Sequence, residues 1–162
     1  MIFNESVKFI GKYRPYQQRV LDNITGFLDN EKIHIVAAPG SGKTTLGLEL
    51  IKRLDNISLV LVPSIAIREQ WIDRFTNGFL KNKEDKDLWI SNDIKNYKPI
   101  ICITYQAFYS AYKKEINQEA YNDEDITYES NDYNEFDLID TLTKYNVKTF
   151  CLDECHHLKN EW

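Results

Sequence analysis

This 162-residue chain has no long hydrophobic run, only three cysteines, and fewer basic than acidic residues. No apolar run approaches the roughly 18 residues needed to span a bilayer, and the start lacks the basic and then apolar pattern of a secretory signal. Two of the three cysteines lie in or beside apolar runs, where a free thiol behaves as a small hydrophobe. We therefore expect a cytoplasmic protein without a membrane span and without structural disulfides.

The net charge of -5 is unevenly distributed along the chain. Between Glu115 and Asp140 there are ten acidic residues and no basic one, so the remainder has 15 acidic against 20 basic residues. A mildly positive remainder is compatible with a face that binds phosphate groups. The acidic stretch 117–134 predicts a surface insertion or loop within a single domain over residues 1–162, and a DNA-mimicking or partner-docking loop is the alternative.

Apolar runs rich in β-branched residues alternate with segments of helical period, as in a parallel sheet covered by helices. Each run is almost continuously apolar, which is expected of strands buried on both faces. The predicted strands are residues 33–38, 57–62, 100–104 and 147–152. The predicted helices are residues 16–28, 43–54 and 65–75. This order predicts an α/β domain.

The first predicted strand leads into the sequence APGSGKT, residues 38–44, which opens a helix. Strand, glycine-rich loop and helix in this order predict a nucleotide phosphate loop. Gly40 and Gly42 permit backbone conformations closed to other residues, so successive N–H groups can face phosphate oxygens. Lys43 supplies a cation for the β- and γ-phosphates, and the Thr44 hydroxyl suits Mg²⁺. We expect ATP and Mg²⁺ to be held by Pro39, Gly40, Ser41, Gly42, Lys43, Thr44 and Thr45.

The last predicted strand ends in two adjacent carboxylates, Asp153 and Glu154. An apolar strand that delivers such a pair at its carboxyl end meets the needs of ATP hydrolysis. We expect Asp153 to hold the Mg²⁺ shell and Glu154 to polarise the attacking water. His156 is expected to hydrogen-bond across the site and to sense the γ-phosphate.

Zinc binding by Cys151, Cys155, His156 and His157 is the alternative interpretation of the same stretch. Cys151 would point into the sheet, and the only other histidine, His34, lies inside the first predicted strand. Because no second pair of cysteines or histidines has a suitable spacing, we favour the hydrolytic interpretation.

Together these motifs resemble superfamily 2 DEAD/DEAH-like helicases, in the branch that includes type III restriction subunits and related DNA translocases. The resemblance covers nearly the whole chain and implies a RecA-like P-loop NTPase fold. Asp153 to His156 departs from Asp-Glu-Ala-His only at Cys155, and the phosphate loop has Ala37 where the broad pattern has glycine. Both departures exchange small residues, so the expected chemistry is unchanged.

Upstream of the phosphate loop, RPYQ at residues 14–17 resembles the adenine-reading motif of the family. The resemblance assigns Arg14 and Gln17 to the nucleotide, with the Gln17 amide as paired donor and acceptor for the adenine edge. A polar helix start is the alternative interpretation of RPYQ.

Two segments resemble the family motifs that bind the backbone of a single nucleic-acid strand. They are VPS at residues 62–64, followed by Gln70-Trp71, and TYQ at residues 104–106. Each is a strand end opening into a helix, so exposed N–H groups and small hydroxyls can meet phosphate oxygens without reading sequence. The helical spacing of Trp71 with Ile67 and Phe75 favours the core over base stacking. The resemblance assigns nucleic-acid contacts to Pro63, Ser64, Thr104, Tyr105 and Gln106, with DNA favoured over RNA.

In the resembled family, a Ser/Thr-rich motif follows the acidic box, on a strand that lies between the first strand and the acidic-box strand. A second RecA-like domain then supplies arginine fingers. This sequence stops at Trp162, before either feature, so we expect a RecA-like domain incomplete at its carboxyl end and belonging to a longer protein. On its own it should hydrolyse ATP negligibly, because a missing arginine finger costs about 10³ to 10⁵ in rate.

Taken together, the motifs predict the ATPase motor domain of a helicase or translocase acting on DNA, with RNA as the alternative. Restriction or another defence system follows from the resemblance alone. A regulatory ATP-binding module that binds a partner without translocation is the rival interpretation. Glu154 argues against that rival, because a sensor has no need of a water-activating carboxylate.

Overall fold

The computed structural model describes residues 1–27, 32–38, 40–120 and 137–155. The elements within these ranges are α1 (Pro15–Asn23), α2 (Lys43–Leu54), β1 (Ser58–Val62), α3 (Ile65–Phe79), α4 (Lys86–Trp89), β2 (Ile90–Ser91), β3 (Ile100–Thr104), α5 (Tyr105–Ala120), α6 (Leu138–Lys144) and β4 (Thr149–Leu152). Short 3₁₀ helices cover Ile24–Phe27 and Lys83–Asp85. No helix in these ranges is long and apolar enough to cross a membrane.

The four strands form one sheet in the order β2-β3-β1-β4, and every pair is parallel. β1 is central, and all five of its residues are buried. Leu59 lies opposite Ile101 of β3 on one side and Phe150 of β4 on the other. The predicted α/β class, a mainly parallel sheet flanked by helices, is confirmed, and the arrangement is consistent with a RecA-like domain.

Alternate residues of the two central strands face two separate cores, as the pleat of a strand requires. The core beneath α2 and α3 contains Val60, Val62, Ile100, Cys102, Leu48, Ile51, Trp71, Ile72, Phe75 and Phe79. The core beneath α5 and α6 contains Leu59, Leu61, Ile101, Ile103, Tyr105 and Leu138. A smaller core of Leu21, Ile24, Leu46 and Leu50 joins α1 to α2. Helices therefore cover both faces of the sheet at β1 and β3, whereas Phe150 and Leu152 of β4 are exposed, so the expected burial of that strand on both faces was wrong.

The two helices that flank β1 have recognisable ends. α2 matches the predicted residues 43–54 and stops at Asp55, whose backbone is left-handed with φ 51°. The Asp55 carboxylate accepts the N–H groups of Ile2 and Phe3, both at 2.8 Å, which ties the amino terminus to this corner. α3 runs past the predicted residue 75 to Phe79. The helix continues because Phe79 extends the apolar stripe and is fully buried.

Residues 33–38 are not a strand in the structure, so that prediction was wrong. Val36 is 99% exposed, while Ile33 and Ile35 pack against the small core between α1 and α2. A strand requires a neighbour for its backbone hydrogen bonds. No strand of the described ranges pairs with this segment or with the outer edge of β4. In the resembled family, a further strand lies between the first strand and the acidic-box strand, which is β4 here.

The bounds of the other predicted elements differ little from the structure, but α4, α5 and α6 were not among the predicted helices. α1 ends at Asn23 and continues as a 3₁₀ helix to Phe27, and residue 28 of the predicted helix lies outside the described residues. β1 and β4 begin one and two residues later than predicted. β2 was not predicted, because two residues are too few to show a period. Of the acidic stretch 117–134, residues 117–120 belong to α5 and the rest lies outside the described residues.

Candidate active site

The carboxyl ends of β1, β3 and β4 meet at one edge of the sheet. The last residues of β1 pair with Thr104 of β3 and with Leu152 of β4. The chain therefore leaves the three strands side by side, at Pro63, Tyr105 and Asp153. Ligands of open parallel sheets bind in the crevice outside this edge. Residues far apart in sequence are brought together here by the register of the strands.

The two glycines of the phosphate loop have left-handed backbone conformations. The φ angle is 71° at Gly40 and 92° at Gly42, values that are costly for a residue with a Cβ. At Gly42 a Cβ would also lie 2.7 Å from Nε2 of Gln17. α2 begins directly after this turn, at Lys43. The conformational role predicted for the two glycines is therefore present in the structure.

Three side chains at the start of α1 hold this loop from one side. Each donates to one of three consecutive loop carbonyls: Arg14 to Gly40 at 2.8 Å, Tyr16 to Ser41, and Gln17 to Gly42 at 3.0 Å. The described peptide bonds are all trans, so each N–H points in the opposite direction to the carbonyl of the preceding residue. The N–H groups of Gly42 and Lys43 therefore face the side of the loop opposite α1.

Gln17 uses both ends of its amide inside the protein. Its side chain is nearly inaccessible, with Gln17 3% exposed. Its Oε1 accepts the N–H of Arg14 at 2.8 Å, while Nε2 donates to the loop. In this arrangement Gln17 positions the loop, and its contact with adenine stays a prediction. Tyr16 was not singled out from the sequence, where its place inside RPYQ was the available signal.

The loop contains a buried hydroxyl without a partner. Ser41 Oγ is shielded from solvent and has no hydrogen-bond partner among the described residues. The first N–H groups of α2 likewise have no acceptor within their own helix, so this helix end attracts anions. Lys43 adds a cation and Thr44 a second hydroxyl. This set of donors fits the oxygens of a phosphate chain.

Asp153 is held by three hydrogen bonds from three elements. Its N–H donates to the carbonyl of Leu61 at 2.9 Å, and its carbonyl accepts the hydroxyl of Tyr105 at 3.0 Å. Its Oδ2 accepts the indole N–H of Trp71 at 2.7 Å. Trp71 is 2% exposed, so its predicted place in the core is confirmed. Burial raises the pKa of the Tyr105 hydroxyl, which keeps it a donor.

Glu154 contacts the phosphate loop. Its Oε1 lies 2.7 Å from Nζ of Lys43, across a sequence separation of 111 residues. The hydrogen bond from Lys43 to Glu154 raises the pKa of Lys43, so the ammonium stays charged. The backbone φ of Glu154 is 52°, an uncommon value for a residue with a side chain and one that clusters at functional sites. The structure thus joins the two motifs that the sequence predicted for ATP chemistry.

Ser64 and Thr104 both cap helices at the same edge. Ser64 Oγ accepts the N–H of Ile67 at 3.3 Å, and Thr104 Oγ1 accepts the N–H of Ala107 at 3.1 Å. Each hydroxyl also has a hydrogen of its own to donate. Their contacts with nucleic acid stay predictions.

The remaining predicted site residues differ in exposure. Gln106 is exposed, Pro63 and Thr44 are half-buried, and Thr45 and Tyr105 are buried. Pro39 and His156 lie outside the described residues.

The cysteines bear on the zinc alternative. All three cysteines are free in the structure. Burial raises the pKa of the Cys151 thiol to about 12. His156 and His157 lie outside the described residues. The part of the chain that the structure describes contains no cluster of three or more side chains suited to a metal ion.

Comparison with known families identifies the chain. Residues 10–162 match the family described as type III restriction enzyme, res subunit, and this range includes the phosphate loop and the acidic pair. A search of curated proteins found no match. The matched family comprises amino-terminal domains of superfamily 2 helicases, which are P-loop proteins that generally use ATP and Mg²⁺. The chain therefore belongs to the type III restriction enzyme res subunit family.

Proposed function

We propose that this chain is the ATP-hydrolysing motor domain of a DNA helicase or translocase in a restriction or other defence system. The supporting observation is the 2.7 Å contact between Lys43 of the phosphate loop and Glu154 of the acidic pair. The contact supports the proposal because the Lys43 ammonium and the Glu154 carboxylate lie in one crevice. Catalysis of phosphoryl transfer consists mainly of such positioned charges.

The site residues divide the chemistry among them. The loop N–H groups, the Ser41 hydroxyl and the Lys43 ammonium bind the phosphates. Thr44 and Asp153 would hold Mg²⁺, which would neutralise charge on the phosphates. Glu154 accepts a proton from the attacking water. When ATP binds, Lys43 has to move away from Glu154, because its ammonium then interacts with the phosphate oxygens in place of the Glu154 carboxylate.

The proposed roles at the rim of the site follow the family resemblance. Arg14 and Gln17 contact the adenine, for which Gln17 has to release a hydrogen bond to Arg14 or to Gly42, and His156 senses the γ-phosphate. A single DNA strand binds at the ends of β1 and β3, where Ser64 and Thr104 stand at helix starts that attract phosphate. A second RecA-like domain completes this track and supplies the arginine fingers.

Calorimetric titration with ATP and Mg²⁺ tests the nucleotide part of the proposal. Lys43→Ala should weaken binding by more than about tenfold, because it removes the charged donor to the phosphates. Lys52→Ala, in the last turn of the same helix, is the matched control and should bind like the parent. Equal affinity in the Lys43 variant would contradict the phosphate-loop assignment.

Fluorescence anisotropy with labelled dT20 and rU20 tests the nucleic-acid part. Binding of dT20 supports a DNA motor, and preference for rU20 would move the proposal to RNA. A chain that binds Mg-ATP but neither strand would favour the regulatory ATP-binding module.

A further inference from the structure

Two buried aromatic donors reach Asp153 from two different helices. Trp71 lies in α3, whose N-cap is Ser64. Tyr105 is the first residue of α5, directly after Thr104 at the end of β3. Each helix thus begins at a proposed nucleic-acid contact and contributes a donor to the proposed metal ligand.

The hydrogen bonds leave Asp153 little freedom. Its backbone N–H and carbonyl are bonded to Leu61 and Tyr105, and its carboxylate is bonded to Trp71. The bond from the indole is short, at 2.7 Å, and its acceptor carries the charge of a carboxylate. Hydrogen bonds of this kind are roughly twice as strong as those between neutral groups. The indole therefore holds one oxygen of the carboxylate in place.

The indole itself is held in place by the phosphate-loop helix. A Cβ at Gly47 of α2 would lie 2.7 Å from Cη2 of Trp71, closer than real Cβ contacts come. Gly47 stands one turn after Lys43, so the ring is seated directly on the helix that carries the loop cation. Trp71 therefore connects the phosphate-loop helix with the acidic pair by contact on both sides.

We propose that Trp71 and Tyr105 are positioning residues that orient the Asp153 carboxylate for Mg²⁺. The inference rests on the proposed function, in which Asp153 is a ligand of that ion. A purely structural explanation is that Asp153 only satisfies a buried indole N–H. The two explanations predict different results when the indole N–H is removed. Only a positioning role makes the effect of Mg²⁺ on ATP affinity depend on that N–H.

ATP affinity measured by calorimetry with Mg²⁺ and again with EDTA separates them. The readout is the ATP affinity with Mg²⁺ divided by the ATP affinity with EDTA. Trp71→Phe keeps a buried ring but loses the N–H, so the ratio should fall about tenfold while the affinity in EDTA stays the same. Tyr105→Phe should lower the ratio less, because its hydroxyl bonds to a neutral carbonyl of Asp153. In the parent, Mg-ATP should also change the tryptophan emission, and Trp71→Phe should lose that change.

Two further variants act as controls. Gly47→Ala leaves the indole N–H in the chain but displaces the ring, and it should lower the ratio as Trp71→Phe does. Trp89→Phe makes the same substitution at a buried tryptophan that stacks on Phe3, with ring centroids 6.0 Å apart, and it should leave the ratio unchanged.

The possible results are distinct. An unchanged ratio in both the Trp71 and Gly47 variants would overturn the inference. An equal loss of ATP affinity with Mg²⁺ and with EDTA, which also leaves the ratio unchanged, would overturn it in favour of the structural explanation. A parent whose ATP affinity does not respond to Mg²⁺ would contradict the proposed function itself.

Discussion

Replacing Glu154 with glutamine should tighten ATP binding even though it abolishes hydrolysis. Oε1 of Glu154 lies 2.7 Å from Nζ of Lys43, so ATP has to displace a carboxylate before the ammonium can reach the phosphates. Glutamine keeps the length and shape of the side chain but carries no charge. The variant therefore removes most of the competition for Lys43 and, with it, the water-activating group.

The size of this effect follows from the exposure of the pair. At 2.7 Å, Coulomb's law gives about 1.5 kcal/mol at the permittivity of water. The two side chains are 29% and 30% exposed, so solvent screens them substantially. Pairs of this kind contribute about 0.2 to 1 kcal/mol after screening and side-chain entropy, which corresponds to about 1.4- to 5-fold in affinity.

Calorimetry at low and high salt measures the effect as the ratio of variant to parent affinity. The ratio should exceed one at low salt and approach one at about 1 M, where the Debye length is about 3 Å. Glu84→Gln, at an exposed carboxylate outside the site, makes the same change in net charge and should leave the ratio at one. A Glu154 variant that binds ATP no better than the parent at low salt would refute the competition argument.

Two other predictions concern the corner at Asp55 and the cap at Ser64. The N–H groups of Phe3 and Ile2 lower the pKa of Asp55, so its stabilising contribution is present above its unfolded pKa and is lost as pH falls through the lower, folded one. The melting temperature of the parent should therefore fall more steeply below about pH 4 than that of Asp55→Asn, and parallel curves would contradict this. Ser64→Ala should lower the free energy of unfolding by about 1 kcal/mol through loss of the cap and should also weaken dT20 binding. Ser64→Asp should restore the cap but repel phosphate, so recovered strand binding in that variant would argue against a phosphate contact at this position.

Elements with a strong local pattern could be predicted closely from the sequence. α2 has the predicted bounds, because the loop marks its start and a leucine stripe marks its buried face. β3 also has the predicted bounds, since its continuous apolar run is buried on both faces of the sheet. The left-handed φ angles of Gly40 and Gly42 could also be predicted from the local sequence, because few other residues adopt them.

Strand pairing was less predictable, because a ladder depends on a neighbour. Residues 33–38 have the composition of a buried strand, but no described strand lies beside them. Ile90 and Ser91 show no period of their own, yet they pair with β3. Composition identifies segments that are able to form strands, and only the assembled sheet determines which of them do.

The sequence by itself determined the chemical groups of the site: a phosphate loop ending in Lys43, and the carboxylates Asp153 and Glu154 after an apolar strand. Only the tertiary structure decided which groups meet. Lys43 contacts Glu154 across 111 residues, and Trp71 contacts Asp153 across 82. Such contacts depend on the register of parallel strands and on the packing of helices over them, whereas motifs and periods describe residues within a turn or two of one another.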